Sequence, residues 1–200
     1  MTKTRLALLP LAVVAATLGL AAPATAATPA PVLTCQGQGT DPAAKIRYSG
    51  EVTVNAPVHT VWRLMTDVNR WPTWQAPVLA AKRLDHGPLR PGSVFQWSTP
   101  APETELNPAT TLHITSTVHH VRRDNCLRWS GPAVGEGLRV DNGVHVWNFT
   151  PVRGGVRVRT EETWTGAQVE QNVPLATEFL GMGLRAWLGE LKTAAERCDR

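Results

Sequence analysis

The chain has 200 residues, of which 42% are hydrophobic and 18% are charged, with 16 Gly, 16 Pro and 3 Cys. This composition excludes a disordered chain, a collagen-like fibre and a small disulfide scaffold. The formal net charge is +4, and the basic residues are scattered along the chain, which argues against a nucleic-acid partner. We therefore expect a folded domain with a mixed, solvated surface.

The first 26 residues are typical of a secretory signal peptide. Lys3 and Arg5 give a positive start, residues 6–22 form an apolar run, and Ala24-Thr25-Ala26 offers a small-x-small cleavage pattern. Cleavage after Ala26 would leave a chain long enough for one domain with a sizeable core. We expect a secreted or extracytoplasmic protein, and no later run predicts stable membrane insertion.

Residues 27–44 are rich in Ala, Pro, Gly and Gln, which predicts a flexible linker, and residues 45–198 are the predicted domain. The domain opens with a strand over residues 45–54, where apolar and polar residues alternate. Asn55-Ala-Pro57 suits a helix start. A helix and then a second short helix or turn are predicted over residues 58–74.

After Pro77 the pattern is that of successive antiparallel strands, followed by one long helix. Predicted strands cover residues 78–85, 93–99, 110–123, 126–130, 142–150 and 155–165. The final helix, over residues 174–197, has an approximate apolar stripe of Leu175, Phe179, Met182, Ala186, Leu191 and Ala194. This order predicts an α+β domain whose curved sheet of about seven strands closes around the C-terminal helix and leaves a gap for a small ligand.

Several motifs resemble those of the START/Bet v 1-like (SRPBCC) superfamily, in its branch of polyketide cyclase/dehydrase and lipid-transport proteins. They are Val54-Asn-Ala-Pro57, Val61-Trp62, Met65-Thr-Asp-Val-Asn-Arg-Trp-Pro-Thr-Trp74, Leu89-Arg-Pro-Gly92, and the segments 144–151, 154–158, 161–166 and 188–196. The resemblance covers residues 45–196 and implies a helix-grip fold with an internal hydrophobic cavity. The superfamily includes carriers, sensors, cyclases and oxygenase domains, so the resemblance implies no single reaction.

The candidate ligand-binding residues are aromatic or polar side chains on the predicted strands and the last helix. The chain has eight tryptophans, and large flat side chains suit a cavity for an aromatic or polycyclic ligand. Ordinary core packing is the alternative for each of them. The candidates are Trp97, His120, Trp129, Trp147, Phe149, Phe179 and Met182.

Glu162 and His145 are candidate catalytic residues in the last predicted hairpin. By strand parity Glu162 points inward and Glu161 outward, although a register shift of one residue would exchange them. An inward carboxylate has a raised pKa, and a histidine exchanges protons near neutral pH, so the pair could supply acid/base catalysis. The alternative is that Glu162 pairs with Arg139 or another arginine at the sheet rim.

The cysteines and histidines give weaker signals. Export permits a disulfide, and we favour Cys35 with Cys198 because domain termini often lie close together. Other pairings, or no bond, remain open.

His119 and His120 are neighbours on a predicted strand and face opposite sides. His113 is too far along that strand to join either of them, so we expect no metal site. Oxygenase relatives use an iron–sulfur partner and an iron site, and this sequence shows neither, so we expect no cofactor.

Three functions fit these observations. We expect an exported binding or carrier protein for a hydrophobic small molecule, lipid- or polyketide-like, held in an internal cavity. The alternative is a polyketide cyclase/dehydratase-like enzyme that uses Glu162 and His145 as acid and base. A structural or protein-binding domain would instead show an exposed apolar patch rather than an interior pocket.

Overall fold

The computed structural model describes residues 32–198, so the predicted signal peptide over residues 1–26 lies outside the described residues. Seven strands are present, and their bounds are β1 Ile46–Val54, β2 Ala80–Arg83, β3 Val94–Ala101, β4 Thr110–Arg122, β5 Cys126–Gly135, β6 Leu138–Val152 and β7 Gly155–Thr165. The helices are α1 Val58–Thr66, a 3-10 helix Val68–Thr73, a second 3-10 helix Val169–Asn172, and α2 Val173–Cys198.

The seven strands form one antiparallel sheet in the order β1-β7-β6-β5-β4-β3-β2. Strands β2 to β7 follow one another as a meander, and β1 returns to pair with β7, so that Val54 lies opposite Val156 and Ile46 opposite Trp164. The two short helices follow β1, and α2 packs against the sheet. The predicted fold class is therefore confirmed.

Helix α2 presents one continuous apolar stripe to the sheet. Its buried residues recur three or four positions apart, as expected for a helix packed on one face, and they include Leu180, Leu184, Trp187, Leu188, Leu191, Ala194 and Ala195. Met182 is 42% exposed, because it lies on the opposite face of the helix from this stripe. The predicted placement of Met182 at a ligand is wrong.

A β-bulge in β4 moves His120 away from the inner face. Val118 pairs with Trp129 and His120 pairs with Arg128, so two steps along β4 match one step along β5. The extra residue reverses the alternation of faces beyond it. Val121 consequently packs against the core, and His120 Nδ1 lies 3.2 Å from Gln36 Oε1. The predicted cavity position of His120 is wrong for this reason.

A second irregularity, in β5, depends on a glycine. The register of β5 against β6 shifts between Gly131 and Ala133. A Cβ atom on Gly131 would lie 1.8 Å from the carbonyl oxygen of Thr115, which no side chain can tolerate. Gly131 therefore lets β4 approach β5 closely at the point where the sheet bends.

The outer face of the sheet is partly covered by the segment that precedes β1. Leu33 and Cys35 are buried in a small cluster with Cys126 and Val146. Thr40 Oγ1 donates a hydrogen bond to Glu161 Oε1 at 2.5 Å, and Arg47 pairs with the same carboxylate. The flexible linker predicted over residues 27–44 is wrong for this part of the segment, since these residues pack on the domain.

The disulfide bond joins Cys35 to Cys126, with their Cα atoms 5.3 Å apart. The predicted bond between Cys35 and Cys198 is wrong. Residues 33–40 lie across the outer face beside β5, where Cys126 begins the strand, whereas Cys198 is exposed at the end of α2 and forms no disulfide. Within residues 32–198, no helix has both the length and the hydropathy needed to span a bilayer.

Candidate functional site

A cavity of about 240 Å³ lies between the sheet and α2. Its walls come from β3 to β7 and from the first half of α2, and most of its lining is apolar. Among the described residues that border it are Trp97, Leu112, Ile114, Trp129, Val140, Phe179, Leu180, Leu184 and Trp187. A curved sheet closed over one helix therefore leaves an interior space here rather than a filled core.

Three tryptophans on the cavity wall are held by a fourth that is fully buried. The Trp71 ring lies 5.1 Å from Trp187, 6.1 Å from Trp97 and 6.1 Å from Trp129, measured between ring centroids. Trp71 is itself fixed by a hydrogen bond from its Nε1 to the carbonyl oxygen of Met65 at 3.1 Å. Contacts of this kind favour fixed ring orientations, so the wall is a set of rigid aromatic surfaces.

The cavity opens between the loop that joins β3 to β4 and the start of α2. Leu106 in that loop is 45% exposed and borders the opening with Asn107, Asn172 and Leu175. Gly183 also borders the cavity, and a Cβ atom there would meet nothing within 4 Å. The small residue therefore leaves space at the helix side of the opening.

His145 and Glu162 form a close pair on the cavity wall. They lie directly opposite each other on β6 and β7, and His145 Nδ1 is 3.2 Å from Glu162 Oε2. The other carboxylate oxygen, Oε1, accepts a hydrogen bond from Trp164 Nε1 at 2.8 Å. Glu162 does not pair with Arg139, whose guanidinium binds Asp141.

The hydrogen bonds indicate where the protons of this pair lie. The Thr160 hydroxyl donates to the carbonyl oxygen of Val146 at 3.2 Å, and its oxygen lies 2.6 Å from His145 Nε2. If the Thr160 hydroxyl proton is directed at Val146, Nε2 carries the imidazole proton and donates it to Thr160, and Nδ1 of the neutral ring is then an acceptor. A protonated Glu162 supplies the matching donor.

The electrostatics agree with this arrangement. Burial raises the pKa of Glu162 to about 7, and the hydrogen bond from Trp164 lowers this pKa by a smaller amount. Burial also lowers the pKa of His145 to about 3, because the cationic form would lose its hydration. Below about pH 7 the pair therefore holds one exchangeable proton, on a carboxyl group that borders the cavity.

Five of the predicted site residues border the same cavity, and four do not. Trp97, Trp129, Phe179, His145 and Glu162 line it. Trp147 and Phe149 share the inner face with His145 but are fully buried in the packed core, where the Phe149 ring contacts Trp62 of α1 at 5.5 Å between centroids. The predicted ligand positions of Trp147 and Phe149 are wrong because α1 fills that end of the sheet. His120 and Met182 lie elsewhere, as described above.

Two buried polar groups on the lining were not predicted from the sequence. Gln75 is fully buried, and Trp187 has a buried indole nitrogen. Trp187 belongs to a regular helical stripe that could have been recognised, but glutamine is usually exposed and nothing in the sequence marks Gln75 as interior. Among the described residues, no cluster of three His, Cys, Asp or Glu side chains could hold a metal ion.

Comparisons with known proteins give one family and several similar folds. Residues 45–196 match the family model described as polyketide cyclase / dehydrase and lipid transport. A comparison with curated proteins finds no significant match. Solved structures of low sequence identity share the fold of this chain.

A protein of Thermus thermophilus is 16% identical with a TM-score of 0.60, and the alignment covers 77% of this chain and 99% of that one. A START superfamily protein of Mycobacterium smegmatis is 13% identical with a TM-score of 0.56, covering 76% and 98%. DynU16, from the dynemicin biosynthetic locus, is 17% identical with a TM-score of 0.53, covering 77% and 48%.

Proposed function

The chain belongs to the polyketide cyclase/dehydrase and lipid-transport family, and from this premise we propose that it binds a hydrophobic, ring-bearing small molecule in the cavity under α2. Family and fold together indicate either hydrophobic ligand binding or a polyketide cyclase-like activity. The observation that carries the proposal is the enclosed, tryptophan-walled cavity of about 240 Å³ with an opening beside Gly183.

The size and lining of the cavity support a ligand of one or two fused rings. An apolar protein cavity of about 150 Å³ stays dry and binds benzene, so the larger space here suits a larger ring system. Flat aromatic walls at Trp97, Trp129 and Trp187 provide stacking and edge contacts for such a molecule. A lipid- or polyketide-like skeleton meets these requirements.

We also propose that the protein works outside the cytoplasm, as an exported binding or carrier protein. The Cys35–Cys126 bond supports this proposal, because disulfides persist mainly in oxidising compartments. The apolar segment after Lys3 and Arg5 supports it as well. A carrier fits such a location because activated thioester substrates of biosynthetic cyclases are cytoplasmic.

A titration with 2-isopropylnaphthalene, followed by calorimetry, tests the binding proposal. The matched variants are Gly183→Leu and Gly189→Leu, since both glycines are exposed on α2 and have open space around the added Cβ, but only Gly183 borders the cavity. Both variants gain helix propensity. We expect the wild type and Gly189→Leu to bind equally, and Gly183→Leu to bind at least about tenfold more weakly.

Two results would overturn the binding proposal. The first is a wild type that fails to bind the probe. The second is an equal loss of affinity in the two glycine variants, because this would show that the probe does not enter through the opening beside Gly183. Circular dichroism of each variant establishes that α2 is intact before the affinities are compared.

A second candidate function is proton-transfer catalysis on a carbonyl compound, and the His145–Glu162 pair favours it. A carboxyl group with a pKa of about 7 beside an apolar cavity can act as base or acid at neutral pH. As base, the Glu162 carboxylate would take a proton from the carbon next to a carbonyl group. The electron pair of that C–H bond would form a C=C bond, and the π electron pair of the carbonyl group would move to its oxygen to give an enolate.

Deuterium exchange into the methyl group of 2-acetylnaphthalene, measured by proton NMR in D₂O, tests this second function. We expect the wild type to exceed the buffer rate and Glu162→Gln to lose roughly 10²–10⁴-fold of that acceleration. The affinity for 2-isopropylnaphthalene should remain unchanged in the variant. Exchange at the buffer rate with the wild type would exclude the catalytic role and leave the binding role.

A further inference from the structure

Two further residues that border the cavity, Gln75 and Trp187, carry buried polar atoms. Gln75 is fully buried and borders the cavity. Its side-chain Oε1 and Nε2 have no hydrogen-bond partner among the described residues, and neither has Trp187 Nε1. Leaving such groups unpartnered costs free energy, so a bound molecule that reaches and pairs with them would gain affinity.

The surrounding backbone holds Gln75 in place. Its amide N–H donates to the carbonyl oxygen of Trp71 at 2.8 Å, and its carbonyl oxygen accepts from Val78 at 3.0 Å. The next residue, Ala76, donates its N–H to Glu190 of α2 at 2.6 Å, and the preceding residue, Trp74, has its ring 6.3 Å from Trp187. The Gln75 backbone is therefore fixed beside α2, and both of its backbone hydrogen-bonding groups are paired.

Both groups at this position are uncharged, which restricts the chemistry they recognise. Gln75 offers a donor at Nε2 and an acceptor at Oε1, and Trp187 adds a donor at Nε1. The complementary group presents a carbonyl oxygen next to an N–H or O–H, so that both ends of the Gln75 amide are paired at once. A carboxylate is disfavoured because it cannot donate to Oε1 and would be buried without a cation.

We propose that Gln75 and Trp187 form a recognition subsite for a carbonyl group flanked by an N–H or O–H donor on a ring-bearing ligand. This inference rests on the proposed binding function and adds the polar chemistry of the ligand to it. The aromatic walls hold the ring system, and the subsite selects which edge of the ring points towards the start of β2. The subsite is made of different residues from the His145–Glu162 pair, which lies on β6 and β7.

Two probes of similar shape test the subsite. 2-Naphthamide carries a carbonyl oxygen and an N–H at one edge, whereas 2-isopropylnaphthalene carries neither. Gln75→Met replaces the amide by an apolar chain of similar length. We expect this variant to bind 2-naphthamide about tenfold more weakly than the wild type does and to bind 2-isopropylnaphthalene at least as well.

One control variant, one further test variant and one stability measurement complete the experiment. Gln96→Met changes an exposed glutamine on β3 and should alter neither affinity. Trp187→Phe shortens the aromatic wall for both probes and also removes the indole donor, so it should weaken 2-naphthamide by about threefold to tenfold more than it weakens 2-isopropylnaphthalene. Thermal unfolding of Gln75→Met without ligand should occur at the wild-type temperature or above it, because an unpartnered buried amide is removed.

The outcomes separate the two claims. If both probes bind the wild type but Gln75→Met and Trp187→Phe affect them equally, the subsite is wrong and the binding function stands. If neither probe binds the wild type, the binding function fails and the subsite fails with it. A large loss of thermal stability in Gln75→Met would also contradict the subsite, since it would assign Gln75 a structural partner.

Discussion

Glu162 Oε2 and His145 Nδ1 lie 3.2 Å apart on the cavity wall, and their pKa values are displaced in opposite directions by the same burial. The folded protein keeps a proton on Glu162 that the unfolded chain has released. It also excludes a proton from His145 that the unfolded chain accepts. At mildly acidic pH the folded protein and the unfolded chain therefore each bind one proton at these two residues, on Glu162 and on His145 respectively. The two effects on the free energy of unfolding oppose each other in this pH range.

The first prediction concerns the stability of Glu162→Gln as a function of pH. The contribution of Glu162 is fully present below pH 4.5 and is lost as the pH rises towards 7. The contribution of His145 is present above pH 6.5 and is lost as the pH falls towards 3. Between pH 4.5 and 6.5 these slopes cancel in the wild type, but the variant retains only the His145 slope.

Urea unfolding at pH 4.5 and at pH 7 measures this difference. We expect the free energy of unfolding of Glu162→Gln to rise relative to that of the wild type by roughly 1–3 kcal/mol between these pH values. Glu178→Gln removes an exposed carboxylate of α2 and should change the free energy by less than about 0.5 kcal/mol at either pH. Parallel pH profiles for Glu162→Gln and the wild type would contradict the protonation assigned to the pair.

The second prediction concerns the Cys35–Cys126 bond, which closes a loop with a sequence separation of 91 residues. Removing it with Cys35→Ser and Cys126→Ser together should lower the free energy of unfolding by about 2–5 kcal/mol, largely because the unfolded chain is no longer cross-linked. Chemical denaturation followed by circular dichroism measures the change.

Cys198→Ser provides the control for this experiment. Cys198 is exposed and lies outside the disulfide, so its replacement should leave stability within about 0.5 kcal/mol of the wild type. Mass spectrometry of peptides from the non-reduced protein should recover Cys35 linked to Cys126. Recovery of Cys198 in a cross-linked peptide would disprove the pairing.

The third prediction concerns Gly131. A methyl group at this position would lie 1.8 Å from the carbonyl oxygen of Thr115, so Gly131→Ala must separate β4 from β5 or distort the bend. We expect a loss of at least about 3 kcal/mol in the free energy of unfolding. Gly189→Ala, on exposed helix surface with open space, should instead stabilise the protein by about 0.5–1 kcal/mol. Equal effects of the two substitutions would contradict the close approach of the strands.

The sequence was sufficient to predict the fold because strand parity and helical spacing are local signals. The alternation in β7 placed Glu162 inside and Glu161 outside, and the structure has Glu162 on the cavity. Glu161 faces outward but is buried under Thr40 and Arg47. Nothing in the alternation itself reveals that another segment covers the outer face.

The sequence was insufficient wherever a long-range contact or an irregularity decides the position of a side chain. The bulge between Val118 and His120 reverses the alternation of inward and outward side chains beyond it. No residue type in β4 predicts that a bulge occurs at this position. Three cysteines allow several pairings, and spacing along the chain does not choose among them. Gln75 is buried by the packing of its neighbours on α2, which no local pattern predicts.

Native mass spectrometry of the protein purified from its own host would reveal whether the cavity holds a hydrophobic molecule. We expect an additional small-molecule mass on the wild type that leaves on denaturation and is present at much lower occupancy on Gly183→Leu. A bound ligand should also raise the unfolding temperature when it is added back. A wild type whose native and denatured masses agree, even after incubation with an organic extract of the host cells, would contradict the claim that the cavity binds a hydrophobic molecule.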